Sequence, residues 1–338
     1  MPICFSDETA DDVWQNAADM FRNGHCEEDT NSRGGLTHEL MHVCFTIHDP
    51  CQRWVVSRCP AINPAFALAE VIWIMSGSND SKVLNFWNPI LPRFAGNTPV
   101  YPGAYGHRLR YKFGFDQLER AYSALKSNSS SRQIVLQIWD SSSDLPDFDG
   151  VPQSQDIPCN ICSMLKVRNG RLYWTQIIRS NDLFLGVPHN FVQFTSMQEI
   201  LAGWLGLKMG PYVQWSDSLH VYDRDISKIQ TKNSKSTGLN EDTLMLEKEQ
   251  SESVFDKIYS LMVEFSSDNF MLDSLIKTVE NIQMPNSYKN ILYVISADVA
   301  RRFHNNQMAD HLMDSCSNIL YRRMWKNWLE RSNNSKTL

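Results

Sequence analysis

The stretch "QDIPCNICSMLKVRNGRLYWTQIIRSNDLFLGVPHNF", residues 155–191, decides the fold. Apolar and polar positions alternate from Ser163 to Ile178 around Asn169-Gly170, the dipeptide favoured by a two-residue hairpin, which predicts two antiparallel strands. Cys159 stands before the first strand, and Arg179-Ser180-Asn181-Asp182 ends the second. The turn Gly186-Val187-Pro188-His189-Asn190 then opens a run, 191–207, that reads as a long helix closed near Gly206. A thiol, a fixed cation, a hydroxyl, a carboxylate and an amide therefore arrive within one supersecondary unit, a composition suited to grip a phosphate and a polar ring.

Working outward, "SRQIVLQIWD" (131–140) and "PYVQWSDSLHVY" (211–222) are rich in strand formers. His220 and Tyr222, two apart, face the same side of the second run. Upstream, Val13, Ala17, Met20 and Phe21 fall on one face of an N-terminal helix that stops at Gly24. "NPAFALAEVIWIMSG" is apolar nearly all round and predicts a buried helix with one carboxylate, Glu70. A carboxylate there is either paired structurally or has its shifted pKa put to use. Helices and strands mix without regular alternation, and no glycine-rich nucleotide loop occurs, so the fold class is α+β. The stretch 231–253 is polar and weakly patterned and reads as a linker or mobile loop. Beyond it, 254–338 shows helical periodicity, its basic residues near Arg322 and Arg331 reading as a solvated face.

The 338 residues carry 32 basic and 38 acidic side chains, a net charge of -6, which offers no footprint for nucleic acid. An anionic ligand must be held by a few placed arginines. The start "MPICFSDETADD" has no signal-peptide pattern and no run of about 18 apolar residues occurs, so a cytoplasmic protein without membrane contact is expected. The 8 cysteines are too sparse for a disulfide scaffold. Cys159 and Cys162 spell C-x-x-C, but no second ligand pair accompanies them and a hairpin rather than a helix follows, so neither metal nor redox use is expected.

The order Pro158-Cys159, Arg179-Ser180-x-Asp182, Leu185-Gly186-Val187-Pro188-His189-Asn190 and His220-Val221-Tyr222 resembles the signature of thymidylate synthases and the related pyrimidine nucleotide hydroxymethylases. "AEVIWIMSGSND", "VYPGAYGHRLR" and "SSSRQIVLQIWD" resemble further family segments, and "SRGGLTHEL" its phosphate-closing arginine loop; the likeness covers about residues 10–225. The resemblance implies a mixed sheet flanked by helices. It also implies one-carbon transfer from 5,10-methylenetetrahydrofolate to C5 of a pyrimidine nucleoside monophosphate. Cys159 would add to C6, because C5 is otherwise a poor nucleophile. Arg179 would lower the thiol pKa and, with Ser180, Arg33 and Arg132 of a second subunit, hold the phosphate. Asn190 would read the base, His220 and Tyr222 the sugar, and Glu70 would relay protons with Tyr105 assisting. Asp182, Trp87 and Gly186 would contact the folate. A homodimer is implied, and no metal.

Departures from the family pattern are Asn160 where histidine usually follows the nucleophile, Gln133 for a second arginine, Ile178 for a glutamine, and the helical sequence after 225. The implied organisation is a catalytic domain over 1–230, the linker, and an atypical helical extension over 254–338. Methylation of dUMP to dTMP stands slightly ahead. Hydroxymethylation of dUMP, UMP, dCMP or CMP is the alternative, and a catalytically retired nucleotide-binding protein is the reading of another class.

Overall fold

A computed structural model describes residues 2–29, 34–229 and 238–334. Seven strands build one mixed sheet: β1 (Ile3–Asp7), β2 (Glu27–Asp29), β3 (Thr37–Ile47), β4 (Val135–Gln137), β5 (Asn160–Arg168), β6 (Arg171–Asp182) and β7 (Lys208–Tyr222). The order is β1-β3-β7-β6-β5-β4, with β2 beside β3. β1 and β3 run parallel, as do β6 and β7; the other pairs are antiparallel. The architecture is α+β, as the motif order predicts.

The β5–β6 hairpin closes on Arg168 opposite Arg171, with positive φ at Asn169 and Gly170 as a tight primed turn requires. β6 and β7 are parallel, so the chain must cross between their ends, and the helix Val187–Leu205 makes that crossing. Alternate residues of β6 (Leu172, Trp174, Gln176, Ile178) are buried beneath helices, whereas Tyr173, Thr175, Ile177 and Arg179 are half-buried on the opposite face. Of the expected strand over 131–140 only Val135–Gln137 is ladder-paired; Ser131 and Asn128 shape a turn before it.

The helix Pro64–Met75 buries 11 of its 12 residues, which makes it the internal helix that its apolar sequence predicts; Glu70 is the exception. Buried side chains form one contiguous core from Ala10 to Trp328. The C-terminal helices belong to that core. Trp87 donates to the Ile295 carbonyl on the helix Asn286–Arg302, and Trp54 packs edge-on to Tyr321 at 5.6 Å. The expected linker is shorter than its polarity suggested, since a helix runs over Lys248–Phe265. Ser251, Val254, Phe255 and Ile258 bury one face, and Lys248 at its edge bridges Glu119 and Glu252. The end of the helical region 254–338 is two helices, Asn306–Ser315 and Ile319–Asn334, separated where Asn318 leaves helical bonding and its side chain accepts from Tyr321 N. Among the described residues no helix is long and apolar enough to cross a membrane.

Candidate active site

The residues that the motif order singles out meet at the end of β5 and β6 that faces the Glu70 helix. Cys159 lies just before β5, its carbonyl accepting from Arg179 N at 2.9 Å. Arg179 Nε donates to the Pro158 carbonyl at 3.1 Å, which lays the guanidinium along the Pro158-Cys159 segment. The pairing register shifts between Asn160 and Cys162, an irregularity that re-aims side chains at a strand's end.

Tyr105 closes the cluster from another segment. A Cβ on Gly106 would come within 2.2 Å of the Ile74 carbonyl, so only glycine lets the Tyr105 turn press onto the Glu70 helix. Burial raises the phenol pKa, and the charges of Cys159, Glu70 and Asp156 around it raise it further. Asp156 supplies the clamp that sequence reasoning missed: its carboxylate accepts from Gly103 N at 2.7 Å, joining the Cys159 segment to the Tyr105 segment.

Asn160, the departure beside the nucleophile, is fully buried and built in. Its Oδ1 accepts from Gln176 Nε2 at 2.9 Å, while Gln176 Oε1 accepts from Ser163 and from Trp174. A side chain in that network also hydrogen-bonds the Tyr105 phenol. No signal within the motif could have found this network, because its members lie on two strands.

Glu70 projects from its helix with 16% of its side chain exposed, and burial raises its carboxyl pKa to about 7, with a hydrogen bond from Gln193 opposing. Such a group exchanges a proton at neutral pH. Asn190 donates to Asn181 Oδ1 at 3.0 Å, and Asn181 donates to Ser216 Oγ at 3.1 Å. This chain holds the Asn190 amide with one N–H and its carbonyl oxygen left for a ligand. Asp182 Oδ1 accepts from Phe184 N and Leu185 N, both at 2.8 Å, whereas buried Oδ2 has no partner. An unpartnered buried carboxylate oxygen suits the N–H donors of a pterin ring. Gly186 permits the close turn: a Cβ there would lie 3.0 Å from Asn181 Oδ1 and 3.1 Å from the Asp182 carbonyl. Gly186 thus lies against Asn181 and the Asp182 backbone.

His220 stands opposite Asp182 in the β6–β7 register and packs edge-on to Tyr222 at 5.6 Å. Ser180 lies opposite Ser218. Arg132 is exposed before β4. Arg33 lies outside the described residues; Gly34, next to it, accepts from Arg224 at its carbonyl. Trp87 corrects the expectation of folate stacking. It is 1% exposed, with Phe86 at 4.8 Å and its indole N–H on the Ile295 carbonyl, so neither ring face is open to a ligand. The cause is the C-terminal helices, which cover it.

A thiol on a segment lined by a fixed guanidinium, a carboxyl poised near neutrality and a held amide are the groups that covalent activation of an electron-poor ring would need. Residues 16–282 match the family model described as Thymidylate synthase, and the chain belongs to the thymidylate synthase family. The match runs well past 225, so the helices Lys248–Phe265 and Leu275–Asn281 fall within the family region rather than in an unfamiliar extension. The chain is 34% identical over 224 residues to deoxyuridylate hydroxymethyltransferase of Bacillus phage SP01, covering 62% of this chain and 57% of that protein. It is 34% identical over 202 residues to the enzyme of the same name from Pseudomonas phage M6, covering 59% and 56%. A putative thymidylate synthase of Methanosarcina barkeri is 26% identical over 219 residues, covering 64% and 88%. The chain thus spans just over half the length of the two phage relatives.

Proposed function

We propose that the protein transfers a one-carbon unit from 5,10-methylenetetrahydrofolate to C5 of dUMP and releases the hydroxymethyl product. The observation that carries the transfer is the convergence of Cys159, Arg179, Tyr105 and Glu70 from four separate segments. Cys159 adds to C6 and makes C5 an enolate carbon. Arg179 holds the phosphate and favours the thiolate, with Ser180 beside it. Glu70, assisted by Tyr105, takes the C5 proton. Asn190 accepts from uracil N3–H and donates to O4, a polarity that cytosine reverses, and the Asn181–Ser216 chain behind it supports that choice. His220 and Tyr222 contact the sugar, and Asp182 Oδ2 the pterin.

The hydroxymethyl product rather than methyl is supported by the two phage relatives at 34% identity and by the polar character of the cleft around Glu70. Hydride transfer to a methylene requires water to be kept out. Methylation to dTMP is the second reading, favoured by the relatives named thymidylate synthase.

A homodimer completes the site in this reading. The helix-free sheet face carries a groove of about 610 Å³ lined by His42, Ile161, Ile177, Trp215 and Asp217 and reaching Arg179. A second copy seated there would bring exposed Arg132 toward its partner's phosphate site. Mass spectrometry of dUMP incubated with methylenetetrahydrofolate tests the function. A gain of hydroxymethyl with tetrahydrofolate released is expected; a methyl gain with dihydrofolate would replace it by the second reading. No product together with no covalent Cys159 adduct on 5-fluoro-dUMP would leave a retired protein.

A further inference from the structure

Beside the Glu70 carboxylate lies a group of polar atoms that the one-carbon transfer as described does not use. His189 Nδ1 stands 3.8 Å from Glu70 Oε2, beyond hydrogen-bond reach. Both atoms are buried without a hydrogen-bond partner, and so is Gln193 Oε1. His189 and Gln193 are one turn apart on the same helix, so both face the carboxylate. Gln193 is 4% exposed, and its amide hydrogen-bonds Glu70. Two buried polar atoms 3.8 Å apart with no protein partner, and a third on the same helix, are the environment in which an ordered water is held. The spacing fits one water donating to both Nδ1 and Oε2.

The other surroundings of His189 keep the ring neutral. Phe66 packs edge-on at 5.1 Å, and burial together with the charge of Arg58 lowers the imidazole pKa to about 3. A neutral ring accepts at one nitrogen. A water that gives both hydrogens to Nδ1 and Oε2 keeps its lone pairs free for an electrophile.

We propose that His189 is the positioning residue that sets the product: with Glu70, it holds the water that adds to the one-carbon unit on C5. The proposal rests on the one-carbon transfer reading above. Once the tetrahydrofolate nitrogen has left, carrying away the proton that Glu70 took from C5 and so returning Glu70 to its carboxylate, C5 carries an exocyclic methylene conjugated with the C4 carbonyl. The water oxygen bonds to that methylene, and the π pair moves onto the C4 oxygen as an enolate. The enolate re-forms C5=C6 as the C6–S bond breaks, returning that pair to Cys159, and the water's proton passes to Glu70. Nothing is oxidised or reduced.

The test follows dUMP labelled with tritium at C5, which reports every step through proton removal, beside the amount of hydroxymethyl product, in wild type, His189→Phe and His189→Asn. His189→Phe should release tritium within roughly threefold of wild type while its product per tritium falls at least about tenfold. Added 2-mercaptoethanol should capture the stranded methylene as a thioether in that variant. His189→Asn keeps an acceptor near the Nδ1 position and should restore most of the product. The proposal is overturned if His189→Phe keeps the wild-type product ratio, if His189→Asn is as poor as His189→Phe, or if tritium release falls in step with product in both. A wild type that neither releases tritium nor forms the 5-fluoro-dUMP adduct would overturn the underlying reading instead.

Discussion

Two buried polar clusters of the molecule are finished differently. In the cluster under the C-terminal helices, Asn290 donates to both Asp242 oxygens at 3.1 and 3.0 Å and accepts from Ser317 N at 2.9 Å. Asn318 donates to Asn240 and Asp242, and Asn240 donates onward to the Cys51 carbonyl. Glu199 is likewise filled by Arg53, Thr243 and Leu244, with Arg53 Nε the one atom of these groups left without a partner among the described residues. In the cleft, by contrast, Glu70, His189, Gln193 and Asp182 each keep a buried atom without a partner. A satisfied network ties segments together, whereas an unsatisfied one holds free energy in reserve for a ligand. The first cluster is architecture and the second is chemistry.

The strongest attempt to break that division is Cys159→Ser. Turnover should fall on the order of a thousandfold or more, because the nucleophile opens every later step. The melting temperature should stay close to wild type, since serine nearly matches cysteine in volume. Steady-state kinetics beside calorimetry reads both, and a large loss of stability would mean that Cys159 is structural.

Glu70→Gln sharpens the contrast further by separating activity from stability in sign. Tritium release from C5 should fall by roughly 10²–10⁴. The folded-state pKa of about 7 lies above the ordinary 4.5, so the folded protein binds this proton more tightly than the unfolded chain. Stability from Glu70 is therefore fully present below about pH 4.5 and is lost as pH rises toward 7, an effect of up to about 3 kcal/mol. Removing the titration should leave Glu70→Gln more stable than wild type at pH 8 and nearly equal to it at pH 4.5, in denaturant titrations at the two values. In wild type, activity that requires ionised Glu70 should rise with pH through about 7.

Most of the chemistry was legible in the sequence because it sits in contiguous motifs. The hairpin, its Asn-Gly turn and the residues flanking it are local, so Cys159, Arg179, Asp182 and Asn190 could be named before any fold was known. Glu70 was legible by contrast, as one carboxylate in an apolar helix. The supports of these residues were not, because each depends on a partner distant in sequence: Gln176 behind Asn160, Gly103 on Asp156, Asn181 and Ser216 behind Asn190. Trp87 failed for the same reason. Its burial is set by Ile295, and nothing near residue 87 announces that a helix from the end of the chain will cover it.

Breaking the architectural cluster should give the reverse pattern to breaking the cleft. Asn318→Ala strands Asn240 Oδ1, removes a donor at 2.8 Å from Asp242 and deletes the cap on Tyr321 N. The expected loss is about 1–3 kcal/mol of stability, read as a lower denaturant midpoint. Turnover per folded molecule should be unchanged, and a drop in it at saturating substrate would show that the C-terminal helices reach the chemistry.

The smallest effect belongs at the turn beneath the cleft. Gly186→Ala adds one carbon that meets Asn181 Oδ1 at 3.0 Å and the Asp182 carbonyl at 3.1 Å, so the turn must give by a few tenths of an ångström. The stability cost should be about 1 kcal/mol. Asn181 is the group that orients Asn190, and Asp182 is the pterin contact of the proposed function. The same displacement should therefore raise KM for dUMP and for methylenetetrahydrofolate a few-fold, while Cys159, held by Arg179 from the neighbouring strand, keeps its place. Substrate-dependence curves for the variant would separate a shifted turn, which moves KM alone, from a shifted nucleophile, which moves kcat. A fall in kcat would mean that the Gly186 turn and the Cys159 segment move as one body.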